Sequence, residues 1–469
     1  MMKQLTLAAA LAVSGFAQSA GHIRLTVAAM EANGEPVSDL KSSDLQITDQ
    51  GKAQKIVFFT QMPAAEGAPL GPKEFSNRIG KSAPHSTVIL FDLLNENESD
   101  RLTTWHLLAK SLAQLESGEN IYFYVLTLEG NLEAIHGISK GAADDKTWPH
   151  GFEKTLDKAM KSDMHGLPAQ MKDIELVVKK TYVALESLGQ QMLTMPGRRD
   201  IIWITSGMPN TWNVKTPCSG DWVDCALYVP HLAVTLAGAN VAVNPTTYTG
   251  GADPNVARDL EQLAALTGGW TYASEDIRAV LKEVGRDATH YYSVVYDAAA
   301  DNWDQKFHKI RVTSDRKGLK LRSKTRYYAL PDKRSDADRQ GFTLRQAFQG
   351  MSDDASIGLR ATLAPGPDAK AVKVMFKVDA NSLMLSESGG KYTGALTYLI
   401  EDLGANGPTG EPMIMQYPVS LTQDQYTAAL KDGIPMQADH LVADAVQKLR
   451  VIVLDQNQNV AGSLTIPAR

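Results

Sequence analysis

The sequence has no surplus of basic residues. Lysine and arginine together number 47 against 53 aspartates and glutamates, which gives a formal net charge of -6. Basic residues cluster only in short stretches such as GRRD (197–200) and DRKGLKLRSKTR (315–326). A protein that binds nucleic acid needs a concentrated basic face to meet the phosphates. The composition therefore argues against a nucleic-acid partner.

Motifs for enzymatic chemistry are also lacking. The ten histidines are scattered, and no HExxH or HxH pair is present to hold a hydrolytic zinc ion. Ser206 follows an apolar run in ITSGMP (204–209) but lacks the G-x-S-x-G elbow of a nucleophilic serine. LTGG (266–269) is not followed by the Gly-Lys-Ser of a phosphate loop. Because no acid–base or nucleophile set can be assembled, we predict that the protein is not an enzyme.

Cysteine is rare in this chain. The only two, Cys218 and Cys225, lie in PCSGDWVDC (217–225). In an oxidising compartment such a pair most often closes a local disulfide, and free thiols are the alternative. A zinc site would need further ligands, and neither a CxxC motif nor a histidine pair lies nearby.

Long hydrophobic runs are confined to the N-terminus. Lys3 precedes the apolar stretch LTLAAALAVSGFA (5–17), and AQSA (17–20) has the small residues of a cleavage site. This pattern predicts a signal peptide over residues 1–20 and a periplasmic or secreted protein, with a buried N-terminal helix as the alternative. No later stretch approaches the ~20 continuous apolar residues of a membrane span, so we expect no transmembrane segment after the signal peptide.

The remaining chain changes character several times, which predicts several domains. Its 469 residues are long for a single core. Short alternating strands come first, and a stretch rich in proline and glycine separates them from buried strands that alternate with helices. That alternation indicates a mostly parallel sheet covered on both faces. The predicted units are an N-terminal β segment (21–62), a linker (63–84), an α/β domain (85–288), a β segment that pairs with the first (289–330), a second linker (331–342) and a C-terminal β-sandwich (343–469).

Four stretches carry a resemblance to a known family. They are ANGEPVSDLKSSDLQITDQGKAQKIVFF (32–59), ILFDLLN (89–95), PGRRDIIWITSGMPN (196–210), and LTGGWTY (266–272) with YYSVVYD (291–297). In this order they resemble the von Willebrand factor A domain, and more closely the bacterial VWFA-related proteins of the acidobacterial type. The resemblance implies a doubly wound, mostly parallel α/β fold, flanked here by β-sandwich domains. It implies no catalytic chemistry, and a protein ligand at the edge formed by the strand C-termini.

The same resemblance implies a divalent cation at that edge, held by D-x-S-x-S and by an aspartate after the fourth strand. Asp92 fills the first position, but Leu94 and Glu96 stand at the serine positions and Ser206 stands for the second aspartate. Mg²⁺ prefers near-octahedral oxygen ligands and one or two carboxylates, so we expect a degenerate, metal-free site. The alternative is a rebuilt site for Mg²⁺ or another divalent cation, in which Asn95 and Glu96 supply oxygens beside Asp92.

Aromatic residues flank the cysteine pair. Trp212 and Trp222 belong to a loop that we expect at the same sheet edge, where they are candidate partner-binding residues. Packing of this loop onto its own domain is the alternative. The expected function is an exported, non-enzymatic protein-binding or adhesion-type protein with a degenerate metal-ion-dependent adhesion site. A structural or assembly subunit of an envelope complex, with a metal-free A domain as scaffold, is the second hypothesis.

Overall fold

The computed structural model describes residues 21–62, 70–78, 85–118, 120–138, 147–151, 174–193, 195, 197–207, 228–248, 254–299, 302–350, 352–367 and 370–468. The protein is mixed α/β with several sheets, one of which is a mixed sheet that contains parallel strands. The predicted signal peptide (1–20) lies outside these residues. Within them, no helix is both long and apolar enough to cross a membrane.

Short strands open the chain, as the alternation of apolar and polar residues predicts. In β1, for example, Ile23, Leu25 and Val27 are buried while the residues between them are partly exposed. The strands of this segment are β1 (His22–Met30), β2 (Leu45–Asp49), β3 (Lys52–Gln54), β4 (Ile56–Met62) and β5 (Phe75–Ser76).

An α/β unit follows. Its strands are β6 (His85–Asp92), β7 (Ile121–Leu126), β8 (Leu132–His136), β9 (Arg198–Ile204), β10 (Val241–Thr247) and β11 (Tyr272–Ala273). Its helices are α1 (Arg101–Leu112), α2 (Ile174–Met192), α3 (Tyr228–Gly238), α4 (Pro254–Thr267) and α5 (Ile277–Thr289).

The sheet of this unit has the strand order β11-β10-β9-β6-β7-β8, with β8 antiparallel at one edge and the other neighbours parallel. One face packs against α2, α3 and α4, and the other packs against α1 and α5. The continuous apolar strands therefore bury side chains on both faces. Because β6 and β9 are parallel neighbours, Phe91 lies beside Ile204 and both strands end at the same edge.

The chain then returns to the first segment through β12 (Tyr291–Asp297), β13 (Phe307–Ser314), β14 (Lys320–Arg322) and β15 (Arg326–Tyr328). β12 lies between β1 and β4, and β13 lies between β2 and β15, all in antiparallel pairs. The two four-stranded sheets share one hydrophobic core. Asp49 is buried beside this core and accepts hydrogen bonds from the hydroxyls of Tyr296 (3.1 Å) and Tyr327 (2.8 Å).

The last part of the chain packs two further sheets around a second core. Its helices are α6 (Asp336–Gln349) and α7 (Gln423–Asp432). Its strands are β16 (Leu359–Pro365), β17 (Ala371–Val378), β18 (Ser386–Ser388), β19 (Lys391–Gly404), β20 (Gly407–Pro408), β21 (Met413–Thr422), β22 (Ile434–Leu441), β23 (Lys448–Asp455) and β24 (Val460–Pro467).

Two segments predicted to be linkers contain structure. Within 63–84, β5 pairs with β16, and the amide of Asn77 donates to the carbonyls of Asp354, Ile357 and Ser463. A two-residue strand is too short to show a period in the sequence. Within 331–342, α6 begins at Asp336 after the N-cap Ser335, and its Leu344, Ala347 and Phe348 pack against buried residues of the C-terminal domain.

A close backbone approach in the α/β unit yields a first prediction. A Cβ atom on Gly269 would lie 1.9 Å from the carbonyl oxygen of Val243. We expect Gly269→Ala to lower the free energy of unfolding by about 1–3 kcal/mol or more, because the strand and the turn must separate. The measurement is the urea midpoint. Gly238→Ala is the control, since a Cβ added there would have no atom within 4 Å and alanine favours the helix. Equal midpoints for the Gly269→Ala variant and the parent would contradict the prediction.

Candidate functional site

The predicted site lies where β6 and β9 end. Asp92 is the last residue of β6, Asn95 and Glu96 lie in the turn that follows, and Ser206 comes two residues after β9. The fold brings these four residues together: the amide of Asn95 donates to Asp92, and Ser206 lies near Glu96 and affects its pKa. The candidate partner-binding residues Trp212 and Trp222 and the cysteines Cys218 and Cys225 lie outside the residues that the structure describes.

The carboxylate of Asp92 is fully buried and is held by hydrogen bonds from the chain itself. Its Oδ1 accepts the backbone N–H of Asn95 (3.1 Å), and its Oδ2 accepts the Asn95 side-chain amide (2.7 Å) and the indole N–H of Trp203 (2.8 Å). The hydroxyl of Thr205 lies 3.3 Å from Oδ2, but its single proton has a nearer acceptor in the carbonyl of Gly207 at 2.9 Å. Asp92 therefore joins the β6 turn to the neighbouring strand β9.

Burial dominates the ionisation of this carboxyl group. Removal from water raises the pKa of Asp92 from 3.8 to about 6, and the hydrogen bonds from Asn95 and Trp203 only partly oppose that rise. The nearby carboxylate of Glu96 raises the pKa further. The ionised form of Asp92 is therefore disfavoured in the native protein relative to the unfolded chain.

Glu96 links the turn after β6 to helix α1 through a hydrogen bond with Thr104. It is 4% exposed, and its Oε1 accepts a hydrogen bond from the hydroxyl of Thr104 at 2.8 Å. Ser206 lies close enough to Glu96 to lower the pKa of its carboxyl group, and the Ser206 hydroxyl accepts the backbone N–H of Asn97 at 3.4 Å. Burial raises the pKa of Glu96, and the contacts with Thr104 and Ser206 lower it. Asn95 and Glu96, the two residues predicted to supply oxygens to a rebuilt metal site, are thus both hydrogen-bonded within the chain.

Arg101 supplies a positive charge close to these carboxylates, and the sequence reasoning missed it. It is 3% exposed and donates from Nε to the carbonyl of Leu93 at 3.2 Å. Burial lowers the pKa of Arg101, and the charges of Glu98, Glu96 and Asp92 oppose that change. A signal was present in the sequence: an arginine in the first turn of a helix opposes the helix dipole, so it needs another reason to be there.

The residues at this edge do not fit a divalent cation. Mg²⁺ and Ca²⁺ need several free oxygen ligands, whereas the Leu94 side chain is apolar and packs in the core. The amide of Asn95 must direct its N–H₂ group, not its oxygen, at the carboxylate of Asp92, because two acceptors would repel each other. Across the described ranges, no group of three or more His, Cys, Asp or Glu side chains is arranged to hold a metal ion.

The raised pKa of Asp92 yields a pH-dependent prediction. The native state binds the proton of the Asp92 carboxyl group more tightly than the unfolded chain does. Protonation of Asp92 therefore stabilises the native state fully below the unfolded pKa of 3.8, and this stabilisation is lost as the pH rises towards 6. Asp92→Asn lacks this titration but loses acceptors at every pH. We therefore expect the stability gap between parent and Asp92→Asn to narrow between pH 4 and pH 7, by up to about 3 kcal/mol. Urea midpoints across that range test it, and a gap that widens with pH would overturn the assignment.

No family model and no curated protein matches the chain. Among solved structures, human COPII-coat protein Sec24c has a TM-score of 0.29 at 11% identity and covers 58% of this chain and 48% of its own. Proximal thread matrix protein 1 from the mussel byssus has a TM-score of 0.27 at 12% identity, and the match covers 47% of this chain and 49% of its own. A structure of the same protein with a zinc-occupied MIDAS motif has a TM-score of 0.27 at 13% identity, and the match covers 48% of this chain and 50% of its own. This chain thus spans about half the length of these proteins. At these TM-scores the structural similarities support no inference about the fold or function of this chain.

Proposed function

We propose that this chain is an exported, non-enzymatic protein-binding protein that acts as a structural or assembly subunit. In this proposal the α/β unit is a doubly wound domain of the von Willebrand A type, and it serves as a metal-free scaffold. The observation that carries the proposal is the hydrogen-bonded state of Asp92, whose oxygens accept from Asn95 and Trp203. The positive charge near this carboxylate comes from Arg101. A cation-dependent adhesion-type role finds less support, since a cation would have to displace these donors.

The contact surface in this proposal is β21, an edge strand of the C-terminal domain. Among the described strands, β21 pairs with β19 alone. Its sequence, MIMQYPVSLT, contains no charged residue, and Ile414, Met415 and Tyr417 are exposed. Edge strands that avoid pairing usually carry charges, and the absence of charge here leaves a template for another strand.

The register of β21 shows which backbone groups face outwards. The N–H of Gln456 donates to the carbonyl of Ala395, so Ala395 faces away from β21 and its pair with Pro418 is not hydrogen-bonded. Pro418, which has no N–H, therefore has its nitrogen on the solvent side. By alternation, Ile414 and Gln416 also present their N–H and C=O groups outwards.

The occupant to which we commit is β21 of a second copy of this chain. In an antiparallel pair centred on Met415, Ile414 of each copy meets Gln416 of the other, which gives complete N–H···O=C bonds on both sides of the two-fold axis. Pro412 and Pro418 end the paired segment, since neither can donate. Two copies of an uncharged strand bring no like charges together.

The test is self-association of the mature protein, measured by sedimentation equilibrium. We expect a dimer with a dissociation constant of about micromolar order, because a two-strand contact is smaller than a standard interface. Met415→Lys places two ammonium groups opposite each other and should give a monomer, as should Met415→Glu. A mixture of the two variants should restore the dimer through opposite charges. Val183→Lys, at a side chain that is 51% exposed on α2, is the control that should still dimerise. A monomeric parent, or a mixture that stays monomeric, would overturn this contact.

Metal independence is tested separately by thermal unfolding after chelation and with added Mg²⁺, Mn²⁺ or Ca²⁺. A cation that binds only the folded state raises the unfolding midpoint by mass action. We expect equal midpoints in all four conditions. A rise that is lost in Asp92→Ala would sink the metal-free scaffold and restore the cation-dependent role.

A further inference from the structure

A cavity of about 510 Å³ lies where the three parts of the chain meet. Its walls come from β1 and β12 of the first sandwich, from the start of β9 in the α/β unit, and from α6 and β23 of the C-terminal domain. This volume lies within the range of about 300–1,000 Å³ that small-molecule sites occupy. The cavity is distant from Asp92. It lies at the N-terminal end of β9, whereas Asp92 lies near the C-terminal end of that strand.

The charged side chains of the lining are mostly positive. Five are cationic, and Asp354 is the one carboxylate among the described lining residues. The cations are Arg24, Arg198, Arg199, Lys324 and Arg450. A cavity with this balance favours an anion over a cation or a neutral solute.

Three of these cations are engaged by the surrounding chain. Arg198 forms a buried ion pair with Asp200 at 3.0 Å. Arg199 donates to backbone carbonyls, among them that of Ala239 at 2.7 Å. Arg450 donates to the carbonyl of Gly350 at 2.6 Å. Their hydrogen bonds hold them in place along the wall.

Arg24 and Lys324 differ from the other three. Arg24 donates to the hydroxyl of Ser293 (2.9 Å) and to the amide oxygen of Gln458 (3.0 Å), both neutral groups. The side chain of Lys324 has no hydrogen-bond or ion-pair partner among the residues described, and its stem packs near Gly268. The charge of Asp455 acts on Arg24 and raises its pKa, but burial has the larger effect and lowers it. Neither Arg24 nor Lys324 has a carboxylate in direct contact among the described residues, so the two like charges together favour an anion between them.

Aromatic groups complete the lining. Phe58 lies under the guanidinium of Arg24 at 6.0 Å, and Tyr291, Trp303 and Phe342 also reach the cavity. The walls thus combine flat apolar surface with two cations that have no direct ion-pair partner among the described residues. A free inorganic ion would leave most of this volume and surface unused.

We propose that this cavity binds an organic anion, a carboxylate or phosphate ester with an aromatic or apolar body, whose charged end lies between Arg24 and Lys324. Such a ligand places a negative charge in direct contact with the two cations and covers the aromatic wall. It also bridges the first sandwich and the C-terminal domain, since Arg24 already contacts Gln458 across that junction. The inference is independent of the strand contact proposed for β21.

The ionisation of Lys324 agrees with this geometry and provides a probe. Burial and the nearby charge of Arg24 lower the pKa of Lys324 from 10.5 to about 8. Its amine is therefore partly neutral at pH 8, where an ordinary lysine stays protonated. An aldehyde that carries an anionic group will form an imine at this amine with loss of water, and borohydride will reduce the imine to a stable amine.

The experiment compares pyridoxal phosphate with pyridoxal on the full mature protein at pH 8, followed by borohydride reduction and peptide mapping. We expect Lys324 to be labelled before the exposed Lys317, and pyridoxal phosphate to label it about tenfold more efficiently than pyridoxal, as a charge-assisted bond at the anion implies. Arg24→Met should bring labelling by pyridoxal phosphate down to the level of pyridoxal. Loss of the Arg24 charge also raises the pKa of Lys324 and slows both reactions, so the readout is the ratio of the two labelling efficiencies. Lys317→Met is the control, with parent behaviour expected.

Competition identifies the charged end of the ligand. Phenyl phosphate or benzoate is added before labelling, and the reduction in Lys324 labelling by each compound is compared. The compound that reduces labelling more shows whether the cavity prefers a phosphate ester or a carboxylate. Protection by either one supports the site. Equal labelling by the two aldehydes with no protection by either competitor would overturn the proposal, as would labelling of Lys317 ahead of Lys324. Circular dichroism of each variant shows that the fold is retained.

Discussion

The antiparallel pairing of β1 with β12 is the contact on which the rest of the chain depends. It joins residues 22–27 to residues 292–297, so both ends of the α/β unit must return to one place. Because β12 also pairs with β4, it lies in the middle of its sheet and is almost wholly buried. The hydroxyl of Tyr296 reaches Asp49 on the second sheet, which couples the two sheets through a buried acceptor. Loss of this pairing would release the α/β unit and the cavity wall together.

Within the α/β unit, a carboxylate at a strand end is held in the interior by neutral donors and by a nearby arginine. Trp203 extends from β9 to Asp92 on β6, so the bond ties neighbouring strands rather than positioning a ligand. Arg101 offsets the buried negative charge without a direct ion pair, and part of its guanidinium has no hydrogen-bond partner among the described residues. Such an arrangement costs free energy, because charges removed from water are only partly compensated when they lack a direct partner.

The two proposed binding features belong to different physical classes. The strand β21 offers backbone hydrogen bonds and apolar side chains at the surface, and its specificity rests on register and on the two prolines that end it. The cavity offers charge and aromatic surface where the three parts of the chain meet, and its specificity rests on Arg24 and Lys324. A ligand in the cavity would hold the first sandwich against the C-terminal domain, whereas pairing through β21 would connect whole molecules. Neither depends on the sheet edge near Asp92.

The sequence by itself determined the buried strands, the helices with strong apolar stripes and the polar character of the turn after Asp92, because these follow from local periodicity and residue chemistry. It could not determine the short strand β5, since two residues leave no periodic pattern. Helix α6 was missed, although the N-cap Ser335 and the spacing of Leu344, Ala347 and Phe348 are helix signals. Leu94 at a ligand position was already visible in the sequence. Only the tertiary structure decided that Trp203 donates to Asp92, that Arg101 lies beside it, and that Arg24 and Lys324 share a cavity. Trp203 is distant in the chain from Asp92, as Arg24 is from Lys324, so these contacts depend on register and packing, which no local pattern encodes. Arg101 follows Asp92 closely in the chain, but the direction of its side chain is set by packing.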